Sequence, residues 1–131
     1  MVELKKIKIN QILNFLEKTL RKRNSHTQIC KIIEKGKTIG QISFDFMDSN
    51  PVFFYVDRLI IEEKFRGMGY ATRILEEIKK FSDQSGIKLE LSTPISNTRE
   101  QNIKLVNFYK KFGFEISEQI HDRHKMEYYP R

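Results

Sequence analysis

The stretch EEKFRGMGYATRIL, Glu62–Leu75, begins with a turn that carries two glycines and the cations Lys64 and Arg66, between an aliphatic run and a segment with helical spacing. The run before it, Leu59-Ile60-Ile61, predicts a buried strand, and the apolar spacing after it predicts a helix over residues 67–82. Glycines allow a backbone to come close to a ligand, and the free amides of a helix N-terminus bind phosphate. The turn therefore predicts a site for the diphosphate of a nucleotide-like cofactor, with positive charge from Lys64 and Arg66.

Two other phosphate-binding loops do not fit this turn. No Gly-Lys-Ser/Thr sequence follows, which argues against a nucleotide-triphosphatase loop. Thr72 stands where a dinucleotide-binding loop has its third glycine, and no strand-helix-strand unit begins the chain. The turn alone leaves open that its glycines serve only the geometry of the connection.

The remaining pattern predicts a mixed α and β fold in one domain. Its order implies a largely antiparallel sheet with a central strand-helix-strand crossover. Asn10 is the expected cap of the first helix. The expected elements are a helix over 11–23, strands at 27–33 and 38–46 joined by a hairpin turn at 34–37, a turn at 48–51, strands at 52–61 and 87–92, a helix over 99–111, and strands at 114–119 and 125–129.

Composition is typical of a globular protein. The chain has 131 residues, of which 39% are apolar and 31% charged, and we find no membrane-spanning run or secretory signal. A single cysteine, Cys30, is compatible with a reducing compartment, so we expect a cytoplasmic protein. The net charge of +7 lies in residues 1–38, which carry ten Lys or Arg against three Glu. Such a segment could attract acidic partners, although a solvated helix face explains the charge as well.

Two segments together resemble a known family. Arg66-Gly67-Met68-Gly69-Tyr70-Ala71 resembles the pyrophosphate loop of the GNAT superfamily of N-acetyltransferases, and NIKLVNFYKKFGF, Asn102–Phe114, resembles a second signature of that family. The chain departs from the family pattern at three positions. Lys64 stands where Gln or Arg is usual, Glu63 where proline is common, and Leu105 where alanine is usual.

The resemblance implies a GNAT-like fold and acetyl-CoA as co-substrate. It implies that the pantetheine arm lies along the strand before the loop, that the diphosphate lies on the loop, and that Tyr109 faces the thioester sulfur as a proton donor. Packing in the core is the alternative role of Tyr109. The implied acetyl-CoA residues are Leu59, Ile60, Ile61, Lys64, Arg66, Gly67, Met68, Gly69, Tyr70, Ala71, Thr72, Asn102 and Tyr109.

The acceptor amine needs a group that removes its proton, because only the neutral amine attacks. Asp57 is the best candidate, since a carboxylate in an apolar strand is costly unless it is paired or used. Strict alternation would place it on the same face as Leu59 and Ile61. Pairing with Arg58 or a neighbouring cation is the alternative role of Asp57, and Glu62 or a water chain could take the proton instead. His121 and His124 lack a third clustered ligand, so we expect no metal site.

The sequence thus predicts one N-acetyltransferase domain over residues 1–131, with an acceptor-side helical segment at 1–26 and an acyl-CoA-binding core at 52–129. We expect direct attack by a primary amine in a ternary complex. The short N-terminal segment suggests an open site suited to a protein or peptide amine, although a small molecule remains possible. The chain would be a monomer or homodimer. The alternatives are a CoA-binding sensor without turnover and a basic nucleic-acid-binding module, which only the charge supports.

Overall fold

The computed structural model of the chain describes residues 2–93, 98–120 and 123–131. These ranges contain seven strands, three α-helices and two short 3-10 helices. They are β1 (Val2–Ile7), a 3-10 helix (Ile9–Gln11), α1 (Ile12–Lys22), β2 (Thr27–Glu34), β3 (Lys37–Met47), β4 (Phe53–Ile61), a second 3-10 helix (Glu63–Phe65), α2 (Tyr70–Ser85), β5 (Lys88–Ser92), α3 (Arg99–Lys110), β6 (Glu115–Ile120) and β7 (Arg123–Tyr128).

The strands form one sheet in the order β1-β2-β3-β4-β5-β7-β6. The pairs β1–β2 and β4–β5 are parallel, and the other four pairs are antiparallel. The parallel pair β4–β5 is joined through α2, which is the crossover that the sequence predicts. The predicted mixed α and β fold with a mostly antiparallel sheet is confirmed.

The three helices lie on one face of the sheet. Each of α1, α2 and α3 connects two strands that run in the same direction, and each connection moves toward the same edge of the sheet. Because such connections are right-handed, their helices lie on the same side of the sheet. Ring contacts agree with this. Phe15 of α1 packs on Phe44 of β3 with ring centroids 6.1 Å apart, and Phe81 of α2 packs on Phe54 of β4 at 5.3 Å.

The opposite face carries no helix within the described ranges, and we call it the helix-free face. By alternation and register its side chains include Ile29, Ser43, Asp45, Tyr55, Asp57, Glu90, Lys125 and Glu127. Two of the carboxylates pair with neighbouring lysines. Glu90 lies 2.9 Å from the Lys88 ammonium and 3.0 Å from that of Lys125.

The core fills the space between the sheet and the helices. Tyr128 of β7 joins two parts of it, because its hydroxyl donates to Asp83 of α2 at 2.7 Å and its ring contacts Phe114 at 5.5 Å. Cys30 is fully buried in this core, and burial raises the pKa of its thiol to about 12. No α-helix of the described residues is long and apolar enough to cross a membrane.

The N-terminal segment differs from the sequence prediction. Residues 1–26, expected to be helical, also contain β1, which pairs in parallel with β2. The expectation that no strand-helix-strand unit begins the chain is therefore wrong, because β1, α1 and β2 form one. Asn10 is not the helix cap, because a 3-10 turn precedes α1 and the Gln11 side chain accepts from the Lys8 amide at 2.8 Å. His121, considered above as a metal ligand, lies outside the described residues.

Candidate active site

The strand β4 pairs with two neighbouring strands at its start and with only one at its end. It pairs with β5 from Phe53 to Tyr55, whereas its pairing with β3 continues to Ile61. Beyond Tyr55 the described residues of β5 pair only with β7. The two parallel strands therefore separate, and the β4 backbone from residue 56 onward faces the gap with one edge.

A β-bulge changes the direction of β4 inside this separated half. Ser43 pairs with Asp57 but Gln41 pairs with Ile60, so β4 contains one extra residue, and Arg58 has a left-handed φ of 50°. The bulge reverses the alternation. The prediction that Asp57 shares a face with Leu59 and Ile61 is therefore wrong: Asp57 lies on the helix-free face, and the other two pack toward the core.

The glycine turn follows a short 3-10 helix and leads into α2. Gly67 and Gly69 have φ values of 77° and 81°, which favour glycine, and no neighbouring atom lies within 4 Å of a Cβ built at either position. The helix consequently begins at Tyr70, and the start predicted at residue 67 is wrong. No side chain caps this end, and its first turn has no acidic residue, so the first amides of α2 remain available to an anion.

A cleft of about 240 Å³ lies over this turn. It joins the end of β4 to the start of α2, and one aromatic side chain of α3, Phe108, closes it. Arg66 helps to shape it, because its Nε donates to the Ile61 carbonyl at 2.9 Å. The residues that line it are Ile61, Phe65, Arg66, Gly67, Gly69, Tyr70, Ala71, Thr72 and Phe108.

A second, more open cleft of about 510 Å³ adjoins the other side of the turn. Lys64 and Glu62 line it together with Lys37 and Thr38, from the start of β3. The hairpin between β2 and β3 therefore adds a cation beside the turn, although it lies about 25 residues earlier in the chain. The turn is cationic on this side.

α3 brings two predicted residues to its buried face. Asn102 is 3% exposed and Tyr109 is 9% exposed, and they lie two helical turns apart on the same side. Burial, with a smaller contribution from the negative charge of Asp57, raises the pKa of Tyr109 from 10.0 to about 12. The charge of Asp57 thus acts on Tyr109 in the same direction as burial, and the phenol stays protonated at neutral pH.

The model of the Acetyltransferase (GNAT) family matches residues 5–114 of this sequence. The chain belongs to this family. The match spans both signatures and most of the sheet, and it begins within β1, so this GNAT domain includes the N-terminal strand that the sequence pattern did not reveal. No curated protein matched the sequence.

Solved structures share the fold of this GNAT domain. An aminoglycoside 6'-N-acetyltransferase in complex with coenzyme A superposes with a TM-score of 0.60 at 16% identity, covering 94% of this chain and 92% of that one. A protein assigned as a streptothricin acetyltransferase, from Bacillus anthracis, in complex with acetyl coenzyme A, gives 0.57 at 18% identity, over 76% and 60% of the two chains. Arabidopsis thaliana Naa50, in complex with the bisubstrate analogue CoA-Ac-MVNAL, gives 0.57 at 20% identity, over 68% and 64%.

These likenesses support the fold of the GNAT domain but do not equate the proteins. The chain spans only about three fifths of the length of several of these structures, including the Bacillus anthracis protein and one from Pyrococcus horikoshii OT3. Their identities to this chain are all 20% or below.

The structure gathers most of the predicted residues of this GNAT domain into one region. Those around the glycine turn line the two clefts, Asp57 lies in the separated half of β4, and Asn102 and Tyr109 lie on the buried side of α3. Met68 is 62% exposed and Ile60 is 47% exposed, and neither lines a cleft described here. Phe65, Phe108 and Lys37 were not predicted. Phe65 and Phe108 lie within the two quoted segments, and their aromatic character is the only sequence feature that could have indicated a role in the site.

Proposed function

We propose that the protein is an acetyl-CoA-dependent N-acetyltransferase that transfers an acetyl group to a primary amine by direct attack in a ternary complex. The observation that carries the proposal is the separation of β4 from β5 beyond Tyr55, which leaves a free backbone edge beside the cleft at the uncapped start of α2. A buried, protonated phenol and a half-buried carboxylate interact beside the strand whose free edge faces the gap. Such a pair can supply one proton and remove another within the same site.

The residues of the site fit an acyl-CoA donor. The exposed edge of β4 beyond Tyr55 offers backbone groups that can pair with the amides of a pantetheine arm. The uncapped start of α2 and the open surroundings of Gly67 and Gly69 suit a diphosphate. The cations of Arg66 and Lys64 would add attraction for its negative charge.

The chemistry needs two proton transfers. Acetyl-CoA supplies the acetyl group as a thioester. Transfer forms a bond from the amine nitrogen to the acetyl carbon and breaks the bond from that carbon to sulfur, so the nitrogen loses a proton and the sulfur gains one. The Tyr109 hydroxyl, kept protonated by its raised pKa, would donate toward the sulfur.

Asp57 is the favoured group for the proton on the amine. It lies on the helix-free face, interacts with Tyr109, and stands beside the gap where the strands separate. Glu62, the alternative base, is exposed at the far end of β4 and lines the cleft with Lys64 instead. The positions therefore favour Asp57, directly or through water.

The acceptor would approach over the helix-free face. The helices cover the other face, and within the described ranges no helix packs over the half-buried Asp57 and Tyr55. An open approach of this kind suits an amine presented on a protein or peptide. Among the structures with this fold, the Naa50 complex contains a peptide-based bisubstrate analogue, whereas the aminoglycoside 6'-N-acetyltransferase is named for a small acceptor.

A calorimetric titration with acetyl-CoA tests the donor site. We expect micromolar binding by the wild type and at least a tenfold weaker Kd for Gly67→Trp, since a bulky side chain would fill the open turn. Gly86→Trp is a matched control. Gly86 has a similar φ, 75°, and equally open surroundings, but lies at the other end of α2, roughly 25 Å away.

The absence of wild-type binding would overturn the proposal. Binding without acetylation of any member of a panel of amines and peptides would instead favour a CoA-binding module without turnover. Acetylation of a peptide panel but not of small amines would support the protein-directed acceptor.

A further inference from the structure

Gly40 occupies a place in β3 where a side chain has no room. Its φ lies outside the left-handed region, so the need for glycine is not conformational. A Cβ built on it would overlap the Ile60 carbonyl oxygen and stand 3.1 Å from the Ile61 Cα. These are backbone atoms of β4, which cannot rotate away as a flexible side chain would.

The backbone that Gly40 approaches is the last part of the separated half of β4. Gly40 pairs with Ile61 in the sheet register. The next residue of the chain is also tied to β3, because the Glu62 amide donates to the Ile39 carbonyl at 2.9 Å. From the other direction, Arg66 Nε donates to the Ile61 carbonyl at 2.9 Å.

The end of β4 is thus held between β3 and the glycine turn. With β5 absent from this part of the strand, β3 is the only strand of the described sheet that supports it. Any outward push at residue 40 would move the Ile60–Ile61 backbone toward the gap. That backbone edge is where the donor's pantetheine arm would pair.

We propose that Gly40 is a positioning residue for the acyl donor: its missing side chain lets β3 hold the Ile60–Ile61 backbone where a pantetheine arm can pair with it. The inference rests on the proposed function. It distinguishes the two halves of the donor, because the atoms nearest to a Cβ at Gly40 belong to Ile60 and Ile61, whereas Gly67 and Gly69 of the turn have open surroundings.

The test compares two ligands in wild type and Gly40→Ala. Acetyl-CoA contains the pantetheine arm, and 3'-phospho-ADP is the nucleotide half of the donor without it. We expect Gly40→Ala to weaken acetyl-CoA binding by about tenfold or more, the effect of losing one or two backbone hydrogen bonds. The affinity for 3'-phospho-ADP should change by less than about twofold, since the added methyl group meets Ile60 and Ile61 and the surroundings of Gly67 and Gly69 stay open.

Ile42→Val is the matched control for lost stability. Ile42 is fully buried in the same strand, so its truncation lowers stability while Gly40 keeps its close approach to Ile60 and Ile61. We expect this variant to unfold at lower denaturant while keeping the wild-type ratio of the two affinities. A Gly40→Ala variant that keeps this ratio as well would overturn the inference.

A second variant covers the case in which Gly40→Ala does not fold. Glu62→Pro removes the amide that donates to Ile39 without adding bulk to β3, and the φ of −59° at this position suits proline. Glu62→Ala keeps the amide and is its control. We expect Glu62→Pro, but not Glu62→Ala, to weaken acetyl-CoA selectively. An equal ratio of the affinities for acetyl-CoA and 3'-phospho-ADP in Glu62→Pro and Glu62→Ala would contradict the inference. Failure of the wild type to bind acetyl-CoA would instead overturn the proposed function.

Discussion

The two halves of β4 have opposite surroundings. Residues 53–55 lie between β3 and β5, and Phe54 is fully buried against the rings of Phe46 and Phe81. Residues 57–61 pair with β3 alone and contain a bulge with a left-handed arginine. One strand therefore contributes to stability at its start and offers a free backbone edge at its end.

The charges beside the two halves differ in the same way. Next to the first half, Glu90 is 6% exposed and lies between two lysines. Burial opposes its ionisation, but the hydrogen bonds from Lys88 and Lys125 outweigh burial and lower the pKa of Glu90. Beside the second half, Asp57 interacts with a protonated phenol instead. Ion pairs stabilise the closed part of the sheet, whereas the open part contains the carboxylate that we propose as the base.

The largest expected effect comes from the closed half. Phe54→Ala should lower the free energy of unfolding by about 4 kcal/mol, because it leaves a cavity among packed rings. Urea denaturation measures it. Ile60→Ala, in the open half and already 47% exposed, should cost about 1 kcal/mol or less. Equal losses at the two positions would contradict the division of the strand.

The next effect concerns catalysis in the open half. Tyr109→Phe should lower kcat by about 100-fold, the usual contribution of a positioned proton donor, and change the Kd for acetyl-CoA by less than about twofold. Tyr128→Phe is the control, since it removes another buried hydroxyl that bonds Asp83, away from the gap. A Tyr109→Phe enzyme with wild-type kcat would assign Tyr109 to the core alone.

The same tyrosine predicts a pH dependence. A pKa raised to about 12 means that the folded protein holds this proton more tightly than the unfolded chain. The free energy of unfolding of the wild type, measured relative to that of Tyr109→Phe, should be constant below about pH 10. It should fall by about 2 to 3 kcal/mol between pH 10 and 12, as the unfolded chain loses this proton first. The pH–rate profile of the wild type should therefore show no ionisation of Tyr109 near neutrality.

The smallest effect tests the bulge. Arg58→Gly should raise the free energy of unfolding by about 0.5 kcal/mol, because glycine adopts a φ of 50° without strain. Arg58→Val should lower it, since β-branched residues are disfavoured in this region. Thermal unfolding of both variants provides the measurement. A stability loss in Arg58→Gly equal to that in Arg58→Val would exclude strain at this position.

Local patterns in the sequence predicted those features whose cause is local. The glycine turn, the helix spacing of α2 and the hairpin before Thr38 depend on neighbouring residues, and the structure contains them. The bulge at Arg58 could not be predicted, because nothing in arginine favours a left-handed φ and only pairing with β3 imposes it. The need for Gly40 depends on a contact twenty residues later. β1 was missed because its lysines obscure alternation, and pairing with β2 defines it.

The helix-free face has a consequence for inhibitors. An analogue that joins a donor half to an acceptor half would place only the donor half in the gap and the clefts around the glycine turn. The acceptor half would rest on exposed strands, where few atoms surround it and water competes for its polar groups. Lengthening that half should therefore add little affinity, and selectivity would have to come from charges that complement Asp45 and Asp57 on the sheet surface.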